Sequence, residues 1–116
     1  MHRNLFIMIR GIFDAMASKE VTDEKLEKYF RVTGEALGKV RISIAGDFEE
    51  EKDWNAVAED FLDMAKRYYA DAGYFREKGE IVTAFAALNY AHGWLDAGAR
   101  LGLFDVGKDS RLFTVD

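Results

Sequence analysis

The sequence predicts an all-α protein with three packed helices. Three observations lead to this prediction. The 116 residues include no proline, the residue that most strongly interrupts a helix. Apolar residues recur at steps of three and four over three long stretches, which is the period of an amphipathic helix. Only a short turn separates the second stretch from the third, so these two helices must be antiparallel neighbours.

The composition excludes several classes of function. There is no cysteine, and therefore no disulfide framework, thiolate nucleophile or zinc ribbon, which fits a cytoplasmic location. The formal net charge is -5 and the basic residues are scattered among acids, so we expect no binding to nucleic acid. We also expect no membrane association and no cofactor.

Residues 1–16 form an apolar leader that allows three interpretations. It resembles a signal peptide, but Arg10 divides the apolar run, which is far shorter than the roughly 20 residues of a membrane span. Alternatively, Met8 or Met16 is the true start and the leader does not belong to the protein. In the third interpretation the leader is a short extra helix, apolar almost all round. Such a helix would have to be buried, which favours a partner or a second copy of the chain.

The bundle itself is predicted over residues 17–104, with its first helix at about 22–45. Thr22 is a suitable N-cap, and acidic residues follow it where the helix dipole favours them. Ala45 and Gly46 end the helix. An apolar stripe recurs along it at steps of four and three, comprising Leu26, Phe30, Thr33, Leu37, Val40 and Ile44.

The second and third helices are predicted at about 49–78 and 80–101. Asp47 and Glu50 could form a capping box at the start of the second helix. Gly79 is the left-handed residue that ends it, and Gly102 ends the third. The third helix carries small residues on several sides, so we expect it to pack on more than one side. Residues 105–116 form an irregular tail, strand-like at 111–115, that folds back on the bundle.

One polar stripe could carry chemistry, and it lies along the third helix: Asn89, His92, Asp96 and Arg100 recur at steps of three, four and four. Asp96 could orient His92 as a carboxylate does beside a general base, or could pair with Arg100. Asp71 on the second helix is the nearest further ligand by hairpin register. We take Asp71, Asn89, His92 and Asp96 as candidate ligand-binding residues. The spacing predicts no metal site and no catalytic residue.

The second half of the chain resembles a known family. The residues concerned are the run from Tyr69 to Phe75, the Lys78-Gly79-Glu80 turn, and the run from Ala84 to Gly98. The shared pattern is Tyr-x-Asp-Ala, a Lys-Gly-acid turn, and a Tyr-Ala-x-Gly-x-Leu-Asp-Ala helix. This is similar to a small archaeal family known as domain of unknown function 357. The resemblance implies a closed, up-and-down three-helix bundle, an archaeal source and a cytoplasmic location, and it brings no established activity.

Two hypotheses about function follow. The first is a non-catalytic interaction module that offers a helix face to an unknown protein partner or to itself, as in a homodimer. Its motivation is the small-residue third helix together with the apolar leader. The second is a small-molecule or metal-binding bundle, or an enzyme, with a site around Asp71, His92 and Asp96. The sequence favours the first hypothesis over an enzyme.

Overall fold

A computed structural model describes residues 19–45, 48 and 52–114. Within these residues the chain forms three helices, α1 (Asp23–Lys39), α2 (Trp54–Glu77) and α3 (Ile81–Leu101). Two short strands complete the architecture, β1 (Arg41–Ile42) after α1 and β2 (Phe104–Asp105) after α3. The predicted all-α three-helix bundle is confirmed. The leader, residues 1–16, lies outside the described residues.

Helices α2 and α3 form the predicted hairpin. At the end of α2, the Gly79 amide donates to the carbonyl of Arg76, and the Glu80 amide donates to that of Phe75. This pair of bonds is the Schellman motif, which requires a left-handed residue, and Gly79 has φ +77. Gly79 therefore reverses the chain while satisfying carbonyl groups at the helix end.

Helix α1 runs antiparallel to α2, and therefore parallel to α3. Near its start, Glu27 lies 2.8 Å from the guanidinium of Arg76. Further along, the carbonyl of Phe30 accepts a hydrogen bond from the Tyr69 hydroxyl at 3.3 Å. As residue numbers increase along α1, the residues they contact on α2 decrease in number, so the two helices are antiparallel. The result is an up-and-down bundle, the order that the family resemblance implies.

The end of α1 corrects one prediction. Thr22 is the N-cap as expected, since its side chain accepts a hydrogen bond from the Lys25 amide at 3.2 Å. The helix does not continue to residue 45, because Val40 already has extended backbone angles. From residue 40 to residue 45, side chains alternate between more buried and exposed positions. This is the two-residue period of a strand, which β-branched residues favour.

The two strands join the end of α1 to the end of α3. Ile42 pairs with Phe104 in an antiparallel ladder, with Arg41 opposite Asp105. The ladder extends on one side, where the Ser43 amide donates to the Leu103 carbonyl at 3.1 Å. The chain after α3 is thereby fixed beside the end of α1.

Helix α2 begins later than predicted. Its N-cap is Asp53, whose carboxylate accepts a hydrogen bond from the Ala56 amide at 3.1 Å. An aspartate at this position satisfies one of the free amides of the first turn, so the helix starts at Trp54 and not at residue 49. The predicted capping pair, Asp47 and Glu50, lies outside the described residues.

The core continues past residue 104, where the bundle was predicted to end. Five residues after α3 are at most 5% exposed: Leu103, Phe104, Val106, Leu112 and Phe113. They form one cluster with Ala36, Val40 and Leu95. The tail therefore folds back on the bundle, as predicted. The strand-like character predicted for 111–115 is not seen at residues 111–113, which form turns and a bend.

Candidate functional site

The imidazole of His92 connects α1, α3 and the C-terminal segment (residues 103–114). Its Nε2 lies 2.7 Å from the carbonyl oxygen of Leu112, and its Nδ1 lies 3.3 Å from the hydroxyl oxygen of Thr33. A carbonyl can only accept, so Nε2 carries a proton and donates it. In the neutral imidazole, Nδ1 then accepts from the Thr33 hydroxyl. Both ring nitrogens therefore serve as structural contacts between parts of the fold.

Asp96 also binds the C-terminal segment. Its Oδ1 accepts a hydrogen bond from the Thr114 amide at 2.6 Å. The interpretation in which Asp96 orients His92 finds no support in these contacts, because the two ring nitrogens already contact Leu112 and Thr33. His92 and Asp96 do lie on one side of α3, as their spacing predicts. Their common role there is to hold the segment that follows the helix.

Asn89 and Asp71 lie elsewhere. Asn89 is exposed and lines a groove between α2 and α3. Asp71 is exposed on α2, one turn closer to Gly79 than Tyr68, which stacks on Tyr90. The four candidates are thus not brought together in one cluster. In the described part of the chain, no three His, Cys, Asp or Glu residues lie close enough to hold a metal ion.

Two ion pairs add to the contacts of the C-terminal segment. Lys39 pairs with Asp109 at 2.5 Å, and Glu35 pairs with Arg111 at 2.5 Å. The hydrogen bond from Lys39 lowers the pKa of Asp109, and that from Arg111 lowers the pKa of Glu35. The same bond raises the pKa of Arg111. These pairs link residues more than 60 positions apart, and no local pattern in the sequence could reveal them.

The side of α3 that faces away from α1 carries an exposed apolar surface, which we call the outer face. Val82 is 70% exposed, Tyr90 63% and Leu101 49%. All six of its residues are exposed and recur at helical spacing: Val82, Ala86, Tyr90, Gly93, Ala97 and Leu101. The sequence from Ile81 to Leu95 contains no Asp, Glu, Lys or Arg. An exposed surface without charge over four turns is typical of an interaction site.

A groove beside the outer face extends the apolar surface towards α2. Its volume is about 540 Å³, and its lining is Phe61, Asn89, Tyr90, Gly93, Trp94 and Ala97. The Trp94 ring meets that of Phe61 edge to face, with centroids 5.0 Å apart. The Tyr90 ring stacks on that of Tyr68 at 4.9 Å. The large rings form the walls, and Gly93 and Ala97 form a low floor between them.

This arrangement can accept the ridge of another helix. Small residues let two helix backbones approach closely, while the aromatic walls offer apolar area to larger side chains. The sequence predicted that α3 would pack on several sides, and in the structure it contacts α1, α2 and the strand β2. The signal that could have revealed the outer face is the absence of charge along α3.

Comparisons with known proteins give one result. The family model described as "Protein of unknown function (DUF357)" matches residues 28–104. No curated protein and no solved structure gives a significant match. Among the described residues, no helix combines the length and apolar character needed to cross a membrane.

Proposed function

Because the chain belongs to the DUF357 family, whose description assigns no function, we propose a function from its own residues: it is a non-catalytic interaction module. Its outer face packs against an apolar α-helix of a protein partner. As the family resemblance implies, we place this activity in the cytoplasm of an archaeon.

The observation that supports the proposal is the exposure of large apolar side chains on a helix face without charge. Tyr90 and Val82 are each more than 60% exposed, although Leu88 and Leu95 on the opposite side of α3 are fully buried. Burying such side chains against an apolar partner is favourable, at roughly 25 cal/mol per Å² of apolar surface. A partner with a charged surface would gain nothing here, because the outer face offers no opposite charge. The expected partner surface is therefore an apolar helix ridge.

The competing hypothesis is a small-molecule or metal site, or an enzyme, around Asp71, His92 and Asp96. The contacts of His92 and Asp96 with the C-terminal segment account for both side chains without a ligand. Asp71 lies on the other helix of the hairpin and is exposed. These contacts support the interaction module better than a ligand site.

The test uses a net-neutral, fluorescein-labelled amphipathic peptide with leucines at helical spacing, and fluorescence anisotropy as the readout. Ala97→Arg places a charge on the outer face, and Ala70→Arg makes the same change at an exposed alanine of α2. Both positions are exposed, so both variants should keep the circular dichroism spectrum of the unchanged chain. The peptide should bind the unchanged chain and Ala70→Arg, and should bind Ala97→Arg at least tenfold more weakly.

Peptide binding that Ala97→Arg and Ala70→Arg weaken equally contradicts the proposal, and so does an absence of binding to the unchanged chain. Light scattering measures the molecular mass of the unchanged chain, and so tests whether the partner is a second copy. A mass that doubles with concentration, and does not double for Ala97→Arg, shows that the partner helix belongs to a second copy.

A further inference from the structure

We infer that the partner of this module is a second copy of the same chain. The outer faces of two α3 helices pack against each other in antiparallel directions, around a twofold axis that passes between Tyr90 and Gly93. The inference deepens the proposed function and rests on it, because it names the partner of the same surface. In such a dimer each chain supplies both the outer face and the apolar helix that covers it.

The spacing of the outer face is the same in both directions along α3. From Val82 to Leu101, its six residues follow one another at steps of four, four, three, four and four. A homodimer with twofold symmetry uses one patch that is complementary to itself. When two such helices are antiparallel, each residue of one outer face lies opposite a residue of the other. The outer face therefore has the residue spacing that a twofold dimer requires.

The sizes of the residues near the twofold axis are also complementary. Tyr90 of one copy lies opposite Gly93 of the other. A Cβ added at Gly93 would meet nothing within 4 Å, so the Tyr90 ring has open space to enter. That ring is held in place by its stack on Tyr68, at 4.9 Å between centroids. Ala86 lies opposite Ala97, and two such small residues let the helix backbones approach closely.

The charges at the ends of α3 favour the antiparallel direction. Glu80 is the N-cap of the helix and Arg100 lies in its last turn, and both residues are exposed. In an antiparallel pair, each end of the contact brings Glu80 of one copy near Arg100 of the other. In a parallel pair, like charges would meet at both ends. The opposed helix dipoles add to the same preference, since the positive end of one helix lies beside the negative end of the other.

The area of the contact indicates how strongly the two copies associate. The outer face is about 29 Å long, and one helix is about 10 Å wide. The edges of the Trp94 and Phe61 rings in the adjacent groove add apolar area. A strip of this size on each copy is smaller than the interfaces that permanent dimers bury. We therefore expect a reversible dimer, whose mass in light scattering depends on the protein concentration.

Disulfide cross-linking tests the arrangement, because the chain contains no cysteine of its own. Ala86→Cys and Ala97→Cys are prepared as two single variants, both at exposed positions, and are oxidised alone and as an equimolar mixture. In the antiparallel dimer, two copies of the same position lie about 16 Å apart along the helices, whereas a disulfide needs Cα atoms within about 7 Å. The mixture should give at least tenfold more covalent dimer than either variant alone.

The matched control mixes Ala97→Cys with Ala70→Cys, at an exposed alanine of α2. This mixture should give no more covalent dimer than the single variants. An equal yield in the control would show random collision, and efficient cross-linking of each variant alone would show parallel copies. Either result overturns the inference, and so does the absence of a covalent dimer from the mixture of Ala86→Cys and Ala97→Cys.

The peptide titration separates this inference from the proposed function. It is carried out at the lowest chain concentration, where a reversible dimer has dissociated. If the chain binds the peptide, keeps the mass of a monomer at every concentration and gives no covalent dimer in the mixture, the inference fails and the interaction module stands. If the peptide does not bind and the mixture gives no covalent dimer, both fail.

Discussion

Nε2 of His92 donates a hydrogen bond to the carbonyl of Leu112 across 2.7 Å, and through it α3 holds a segment 20 positions further along the chain. We predict that His92→Ala lowers the free energy of unfolding by about 1–3 kcal/mol, because it removes this hydrogen bond. It also leaves the hydroxyl of Thr33, a residue only 2% exposed, without its imidazole partner. Urea denaturation measures the effect. Asn89→Ala, at an exposed position of the same helix, should change little. Unchanged stability in His92→Ala would instead favour a ligand site.

Asp96 should control the local order of the C-terminal segment. Its carboxylate accepts a hydrogen bond from the Thr114 amide, whose proton should therefore exchange slowly with solvent. In Asp96→Ala we expect that amide to exchange at least tenfold faster, while amides in the middle of α2 keep their rates. Hydrogen exchange followed by NMR resolves the two regions. Asp71→Ala, at an exposed position of α2, is the control, and the same acceleration there would refute the assignment.

Acid should weaken the attachment of the C-terminal segment. The pKa values of Glu35 and Asp109 are lowered from their ordinary values of 4.5 and 3.8 by hydrogen bonds from Arg111 and Lys39. A carboxylate with a lowered pKa contributes stability above its ordinary pKa, and loses it as the pH falls through the lowered value. Stability should therefore decrease from about pH 4.5 downwards.

The variant that tests this pH dependence is Glu35→Gln with Asp109→Asn. Its free energy of unfolding should decrease less steeply below pH 4.5 than that of the unchanged chain, as measured by urea denaturation at successive pH values. Both pairs are partly exposed, so added salt should reduce the difference. Identical slopes in the two proteins would show that other carboxylates determine the acid response.

Two helical glycines should respond to alanine in opposite directions. A Cβ at Gly98 would clash with the ring of Phe104, which is 5% exposed and has little room to move. A Cβ at Gly73 would meet nothing within 4 Å. Gly98→Ala should therefore destabilise the protein by about 1–3 kcal/mol, and Gly73→Ala should stabilise it by about 0.5–1 kcal/mol. Thermal denaturation measures both, and a loss of stability in Gly73→Ala would contradict the open space seen there.

Local sequence patterns were sufficient to predict the hairpin of α2 and α3. The sequence placed the third helix at about 80–101, and α3 spans Ile81–Leu101. The agreement arises because Gly79 and Gly102 both adopt the left-handed conformation that ends a helix. A glycine at such a position leaves a signal in the sequence itself.

The end of α1 could not be assigned from the same rules. Val40 and Ile44 are four positions apart, a separation that fits one turn of a helix and equally fits two full periods of a strand. Both residues are more buried than their neighbours in the chain, but this arises from the strand geometry of residues 40–45. Ile42, β-branched and midway between them, was the available signal for a strand.

The polar stripe of α3 shows a second limit of prediction from sequence. The spacing of His92 and Asp96 correctly indicated a shared side of α3. Their partners are the carbonyl of Leu112 and the amide of Thr114, and backbone groups have no signature in a sequence. The pattern therefore predicts where such side chains lie and not what they bind.

The C-terminal segment has a consequence for the order in which the protein forms. Helix α1 is the first of the three to be synthesised, yet Glu35 pairs with Arg111, 76 positions later. Ala36 shares its core cluster with Leu112 and Phe113, which are made later still. The hairpin of α2 and α3 can form from residues that are close in sequence. Part of the apolar side of α1, in contrast, stays exposed until the C-terminal segment has been synthesised. The packing of α1 is therefore completed last, when the C-terminal segment has been made.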